Sequence, residues 1–141
     1  MQIESRHKLI SMIQADEGYR KFVYQDTTGH LTVGCGRNLQ DVGVSLNEAL
    51  FLLNNDVARV EVALTKYVIG YDRLDDARKC VLISMAYNLG VGGLIKFRDM
   101  LSDMQDGKWE DAANEMLKSE WATQVGQRAV RLANIMRTGV L

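Results

Sequence analysis

Hydrophobic positions near the start of the chain follow a helical spacing and then change to an alternating pattern. The helical spacing stops at Gly18 and is carried by Ile3, Leu9, Ile10 and Ile13. It predicts an amphipathic first helix that a glycine ends. Residues 19–36 alternate between apolar and polar on either side of a turn-forming segment, which predicts a β-hairpin. Glu17 is therefore expected at the C-terminal end of the first helix, and Asp26 at the tip of the hairpin.

The rest of the chain predicts helices only. Residues 38–44 form a polar connector, and the Ser45-x-x-Glu48 spacing of a capping box then opens a long helix that runs to about Tyr67. Apolar residues at spacings of three or four continue from there, and glycines interrupt them. The predicted helical segments are Leu74–Leu89, Phe97–Met104, Trp109–Leu117, a short piece around Trp121, and Ala129–Met136.

These elements predict a mainly-α protein of the α+β class with two lobes in a single domain, residues 1–141. The hairpin and the beginning of the long helix, residues 18–56 or so, form the small lobe. Residues 1–17 and 57–141 form the larger helical lobe. A helix of some twenty residues is roughly 30 Å long and can join the two lobes. A cleft between them is the expected place for an extended ligand.

The composition fits one soluble globular domain. The chain has 141 residues, of which 47% are apolar and 25% charged. Its net charge of −1 gives no basic field, so we expect no nucleic-acid partner. The N-terminal residues lack the apolar core of a signal peptide. We therefore expect synthesis in a cytoplasm, with a separate protein needed to reach any substrate outside it.

Charge is distributed unevenly. The last twenty residues hold three arginines and no acid, whereas the remainder has 14 basic and 18 acidic residues. A solvated helix face with cations near a C-terminus explains this pattern, and so does a weak contact of the basic helix with anionic envelope lipids. Only two histidines and two widely spaced cysteines are present, so we expect no metal site, no disulfide framework and no cofactor.

Residue counting leaves carboxylate chemistry as the candidate activity. The chain has no zinc-protease motif, nucleophile elbow or phosphate-binding loop. Cleavage of a glycosidic bond requires at least two acids that face each other across a cleft, one of them protonated and the other ionised. Glu17 at a helix C-terminus suits the acid, and Asp26 in a polar turn suits the ionised partner, with the Thr32 hydroxyl near it. Solvated acids at a helix end and in a turn give the same spacing, so the spacing alone does not decide.

At these residues the sequence resembles the phage-type lysozymes. The resemblance rests on DEG at residues 16–18, YQDT at 24–27 with Gly29, and LTVGCG at 31–36, with Glu, Asp and Thr separated by nine and six positions. It continues over nearly the whole chain, at Leu46–Val57, Met85–Gly90, Trp109–Ala113, Lys118–Trp121, Arg128–Ala129 and Arg137–Gly139.

The resemblance implies a lysozyme-like fold and an endolysin muramidase. Such an enzyme hydrolyses the β-1,4 bond between N-acetylmuramic acid and N-acetylglucosamine in bacterial peptidoglycan and inverts the anomeric carbon. Separately from the resemblance, we expect a monomer. Carried over, Glu17 is the general acid, Asp26 and Thr32 position the attacking water, and Arg128 orients Glu17. The substrate-binding positions are Asn38, Tyr87 and Asn88.

The chain also departs from the family pattern. Arg37 stands where the family's best-known member has a histidine engaged in an ion pair, and the 38–44 connector is shorter. Met100 and Glu115 stand at positions that are polar in the cleft of that relative. Two other functions remain open: a lytic transglycosylase, which uses one acid and releases an anhydro-sugar, and a catalytically silent peptidoglycan-binding domain.

Overall fold

A computed structural model describes all 141 residues and contains eight α-helices and a three-stranded antiparallel sheet. The elements in chain order are α1 (Ile3–Glu17), β1 (Arg20–Gln25), β2 (Leu31–Gly34), β3 (Arg37–Asn38), α2 (Leu46–Tyr67), a 3-10 helix (Tyr71–Arg73), α3 (Asp76–Leu89), α4 (Val91–Leu94), α5 (Arg98–Gln105), α6 (Trp109–Lys118), α7 (Glu120–Val125) and α8 (Gln127–Thr138). The predicted mainly-α α+β class is confirmed. No helix is both long enough and apolar enough to cross a membrane.

The chain divides into two compact units, Met1–Phe51 and Leu52–Leu141, with the boundary inside α2. The first unit holds α1 and the whole sheet, and the second holds every helix after α2. The predicted lobe boundaries, which group residues 1–17 with the larger lobe, stay a prediction.

The sheet of the first unit has the order β1-β2-β3. Thr32 pairs with Tyr24 on one side and with Asn38 on the other, so β2 is the central strand. An irregular register between Arg20 and Tyr24 marks a bulge in β1. The prediction of a two-stranded hairpin was incomplete, because β3 has two residues only and cannot show alternation.

The capping box predicted at the start of α2 is confirmed. The backbone N–H of Ser45 donates to Glu48 Oε2 at 2.8 Å, and the backbone N–H of Glu48 donates to the Ser45 hydroxyl at 3.3 Å. The other carboxylate oxygen of Glu48 accepts from Arg37 on β3. The bond from the Ser45 backbone, more than the nearby Arg37, holds the pKa of Glu48 below its ordinary value. Arg37 therefore has an ion pair of its own, which ties the sheet to the first turn of α2.

The second unit is built around one apolar core. Helix α3 contributes Ala77, Val81, Leu82, Met85 and Ala86 to this core, whereas Cys80 on the same helix is exposed. The largest fully buried side chains are those of Leu64, Leu82, Met85, Leu94, Met100, Met116, Met136 and Val81. Met100 is thus a core residue of α5. Trp121 meets the ring of Phe97 edge to face, with centroids 6.2 Å apart, and closes one side of the core.

One buried cation fastens the C-terminal helix to this core. The Arg78 side chain on α3 donates from Nε to the carbonyl of Met136 at 2.9 Å and from Nη2 to that of Arg137 at 3.3 Å. Its guanidinium lies 3.9 Å from the centroid of the Trp109 ring and pairs with Asp75. Carbonyls at the end of a helix have no donor within the helix, and Arg78 donates a hydrogen bond to two of them.

Candidate active site

The Asp26 carboxylate is fixed by the backbone and side chains of its own turn. Its Oδ1 atom accepts hydrogen bonds of 2.8 Å from the Thr28 N–H, the Thr28 hydroxyl and the His30 N–H. The bond from the His30 backbone, followed by that from the Thr28 hydroxyl, holds the pKa of Asp26 below its ordinary value. Asp26 therefore remains ionised at neutral pH, as its predicted role requires.

Thr32 lies on β2 and is 3% exposed. Its hydroxyl donates to the carbonyl of His30 at 3.0 Å, which leaves the oxygen lone pairs free to accept a hydrogen bond. The backbone of His30 thus serves two predicted site residues, because its N–H donates to Asp26 and its carbonyl accepts from Thr32.

Glu17 is the last residue of α1, and Gly18 ends the helix at φ +71°. The Glu17 carboxylate lies against Gly36 in the turn between β2 and β3, since a Cβ atom on Gly36 would sit 3.0 Å from Glu17 Oε2. Gly36 has a φ of +80°, which also favours glycine. A side chain at this position would push the carboxylate away from the sheet.

The two carboxylates are therefore associated with opposite ends of β2. Asp26 occupies the turn that leads into β2, and Glu17 lies beside the turn that follows it. Four residues of extended strand span roughly 10 Å. Single-displacement glycoside hydrolysis needs an acid and a base that stand on either side of a sugar ring and a water.

Asn38 is engaged within the first unit. Its Nδ2 donates to Asp41 Oδ2 at 2.8 Å, and its Oδ1 accepts from the Asp41 backbone N–H at 3.0 Å. Asp41 Oδ2 also lies 3.6 Å from Nε2 of His30. Asn38 is half-buried and keeps one amide hydrogen for other partners.

Tyr87 and Asn88 lie at the C-terminal end of α3 in the second unit. The Tyr87 ring is 47% exposed and lines a shallow groove of about 300 Å³ together with residues of α2 and α4. The side-chain oxygen Oδ1 of Asn88 accepts a hydrogen bond from the Trp121 indole N–H at 3.0 Å. This bond holds the Asn88 side-chain amide in one orientation, with its NH2 group free to donate. An aromatic face and a fixed amide are groups that suit sugar and acetamido recognition.

The arginines of α8 are held in different ways. Nη2 of Arg128 donates to the carbonyl and the hydroxyl of Ser84 at 3.0 and 3.1 Å. Arg137 pairs with Glu110 at 2.6 Å, whereas Arg131 is exposed. Contact of this helix with anionic lipids stays a prediction. The ion pair of Arg137 with Glu110 reduces the positive charge that the helix presents to such lipids.

Sequence reasoning missed Thr28, His30 and Gly36. An Asp followed by a hydroxyl two positions later is the pattern of a turn in which side chains bond the local backbone, and it could have drawn attention to Thr28. Nothing in the sequence places His30 against the Thr28 hydroxyl. No group of three or more His, Cys, Asp or Glu side chains is arranged to hold a metal ion.

Comparison with known proteins identifies the family. A model of the phage lysozyme family matches residues 14–137. Probable T4-type lysozyme 2 of Dictyostelium discoideum is 28% identical over 94% of this chain and 95% of its own length. The pre-baseplate central spike protein Gp5 of Enterobacteria phage T4 is 30% identical over 94% of this chain and 28% of its own length. An endolysin of Bacillus phage B103 is 32% identical over 77% of this chain and 43% of its own length.

The protein is a lysozyme-type glycoside hydrolase, and its substrate is peptidoglycan. More narrowly, the chain belongs to the phage lysozyme family, as its sequence motifs predicted.

Proposed function

We propose that the protein is an endolysin muramidase that cleaves the β-1,4 bond between N-acetylmuramic acid and N-acetylglucosamine and thereby lyses a bacterial host. The observation that carries the proposal is the association of Glu17 and Asp26 with opposite ends of β2. The protein is synthesised in the host cytoplasm, reaches the wall through a separate membrane protein and acts there as a monomer.

In this mechanism Glu17 is the general acid. It delivers its proton to the glycosidic oxygen as the bond to the anomeric carbon breaks, and positive charge develops on the sugar ring. Asp26 stays ionised, accepts a proton from the attacking water and directs its oxygen to the anomeric carbon. Thr32 accepts a second hydrogen bond from that water. The family resemblance assigns to Arg128 the orientation of the Glu17 carboxyl group.

The separation along β2 supports inversion at the anomeric carbon. Inverting glycosidases hold their two carboxyl groups about 6.5 to 9.5 Å apart, whereas retaining enzymes need about 5 to 5.5 Å. A four-residue strand of roughly 10 Å between the two turns favours the wider class over the narrower one. The residues proposed for sugar binding are Asn38 in the first unit, and Tyr87 and Asn88 in the second.

The experiment that tests these roles compares the native protein with Glu17→Gln and Asp26→Asn on purified peptidoglycan. Both substitutions keep the size of the side chain and remove its acid–base function. We expect each to lower kcat by at least about a hundredfold, since general acid–base catalysis contributes factors of this order. Proton NMR of the fresh product should show the α-anomer first.

A Glu17→Gln protein that cleaves peptidoglycan at the native rate would remove Glu17 from the mechanism. If the β-anomer appeared first, the enzyme would retain the configuration of the anomeric carbon and the proposed inversion would be wrong. Binding to insoluble peptidoglycan without release of soluble fragments would favour a silent binding domain instead.

A further inference from the structure

A chain of polar contacts leads away from Asp26 through two residues for which the proposed mechanism has no role. The Thr28 hydroxyl is 2.8 Å from Asp26 Oδ1 and 2.6 Å from Nδ1 of His30. On its other side the His30 ring has Nε2 at 3.6 Å from Asp41 Oδ2. The chain Asp26, Thr28, His30 and Asp41 thus connects the two turns on either side of β2 and β3.

Counting protons assigns a direction to these contacts. Because ionised Asp26 can only accept hydrogen bonds, the Thr28 hydroxyl donates its single hydrogen to Oδ1. The Thr28 oxygen must then accept from His30, which requires the hydrogen of the imidazole to sit on Nδ1. The Thr28 hydroxyl therefore has one arrangement that satisfies both Asp26 and His30.

The three donors at Asp26 all converge on one oxygen. Oδ1 takes the N–H of Thr28, the hydroxyl of Thr28 and the N–H of His30. These bonds exhaust its capacity to accept, so Oδ2 is the oxygen available to a water. The two backbone donors follow from the turn itself, whereas the hydroxyl is the one donor that a side chain supplies.

We propose that Thr28 and His30 are positioning residues for Asp26: the His30 ring orients the Thr28 hydroxyl, and that hydroxyl locks Oδ1 so that Oδ2 meets the attacking water. The inference rests on the proposed function, because it assigns the two residues a part in the same reaction. The carbonyl of His30 holds Thr32 as well, so this one residue aligns both groups proposed to bind the water.

The first test removes the hydroxyl. In Thr28→Val the side chain keeps its shape, whereas Thr28→Ser keeps the hydroxyl; Thr27→Val is the matched control, since Thr27 is exposed in the same turn and does not bond Asp26. We expect kcat on soluble peptidoglycan fragments to fall roughly three- to tenfold in Thr28→Val, with KM unchanged. Thr28→Ser should restore most of the loss, and Thr27→Val should behave as native.

Carbon-13 NMR of the Asp26 carboxyl group provides a readout that does not depend on activity. A hydrogen bond to the charged form lowers a carboxyl pKa, so losing the Thr28 hydroxyl should raise the pKa of Asp26. The acidic limb of the pH profile of kcat should move to higher pH with it. A residue that only stabilised the fold would shift neither.

The second test addresses the ring. His30→Asn keeps a donor near the position of Nδ1, and His30→Phe keeps a ring without one. We expect His30→Phe to reproduce the loss in kcat seen with Thr28→Val, and His30→Asn to retain more of the native rate. Equal rates in the two His30 variants would remove the ring from the inference.

The inference is overturned if Thr28→Val leaves both kcat and the Asp26 titration native. It is also overturned if Thr27→Val changes kcat and the Asp26 titration as much as Thr28→Val does. Failure of the proposed function is a different result: native kcat in Asp26→Asn, or no cleavage by the native protein. In that case the Asp26 titration in Thr28→Val still decides whether the hydroxyl holds the carboxylate.

Discussion

Gly36 decides how close the Glu17 carboxylate comes to the sheet. In Gly36→Ala the new Cβ atom would sit 3.0 Å from Glu17 Oε2, so the carboxylate has to move. Misplacing a catalytic group by a fraction of an ångström to an ångström costs roughly tenfold to a hundredfold in rate, and we expect kcat to fall by such a factor. The measurement is kcat on purified peptidoglycan.

Gly34→Ala is the matched control. Gly34 has a similar φ of +67°, but a Cβ atom there meets nothing within 4 Å. Both substitutions force alanine into a left-handed conformation and should cost about 1 to 2 kcal/mol of unfolding free energy. Equal losses of kcat in the two variants would show that backbone strain, and not contact with Glu17, is responsible.

Tyr71 is a second residue whose environment allows a sharp prediction. Its hydroxyl is buried without a hydrogen-bond partner, and burial raises the pKa of Tyr71 to about 12. Tyr71→Phe removes an unsatisfied polar group, so we expect the unfolding free energy at neutral pH to rise by about 1 kcal/mol. Urea denaturation measures this change, and a loss of more than about 1 kcal/mol would contradict it.

The same residue predicts a pH dependence with a definite sign. The folded-state pKa of Tyr71 is raised above the unfolded value of 10.0, so its contribution to stability is complete below pH 10 and is lost as pH rises toward 12. Tyr71→Phe lacks this loss. The stability of the variant relative to the native protein should therefore increase steadily above about pH 10.

At the scale of elements, the end of α8 depends on Arg78. Replacing Arg78 by Met keeps an extended side chain over Trp109 but removes the bonds to the carbonyls of Met136 and Arg137. We expect a loss of about 2 to 3 kcal/mol in unfolding free energy, measured in urea. Arg131→Met on the same helix is the control and should change stability by no more than about 0.5 kcal/mol, because Arg131 is exposed.

The elements also show what the sequence could predict. Local rules sufficed for the first helix, its glycine stop and the capping box of Ser45 and Glu48, since each depends on neighbours within four positions. They failed for β3, whose two residues form a strand only because β2 lies beside them. They failed likewise for the pairing of Arg37 with Glu48, which joins residues eleven positions apart.

The same distinction applies within the candidate site. Residue type and spacing made Glu17, Asp26 and Thr32 candidates, and the resemblance to the phage-type lysozymes assigned their roles. The contact of Glu17 with Gly36 and the path from Asp26 to His30 depend on how the turns fold. Sequence patterns carry little information about such contacts, because many side chains are compatible with the same turn.

At the scale of the whole molecule, the family assignment and the fold agree. A match over residues 14–137 covers the sheet and nearly every helix, so the residues proposed for catalysis and those proposed for sugar binding all fall inside it. A hydrolase and a transglycosylase differ in what attacks the anomeric carbon: water attacks it in a hydrolase, and an internal hydroxyl attacks it in a transglycosylase.

The most direct test is mass spectrometry of the fragments that the protein releases from purified peptidoglycan, with Glu17→Gln run beside it. We predict fragments with hydrated, reducing muramic ends from the native protein and none from Glu17→Gln. Anhydro-muramic ends, which are lighter by one water, would show that the protein is a transglycosylase and not a hydrolase. Absence of fragments from the native protein would contradict catalysis altogether.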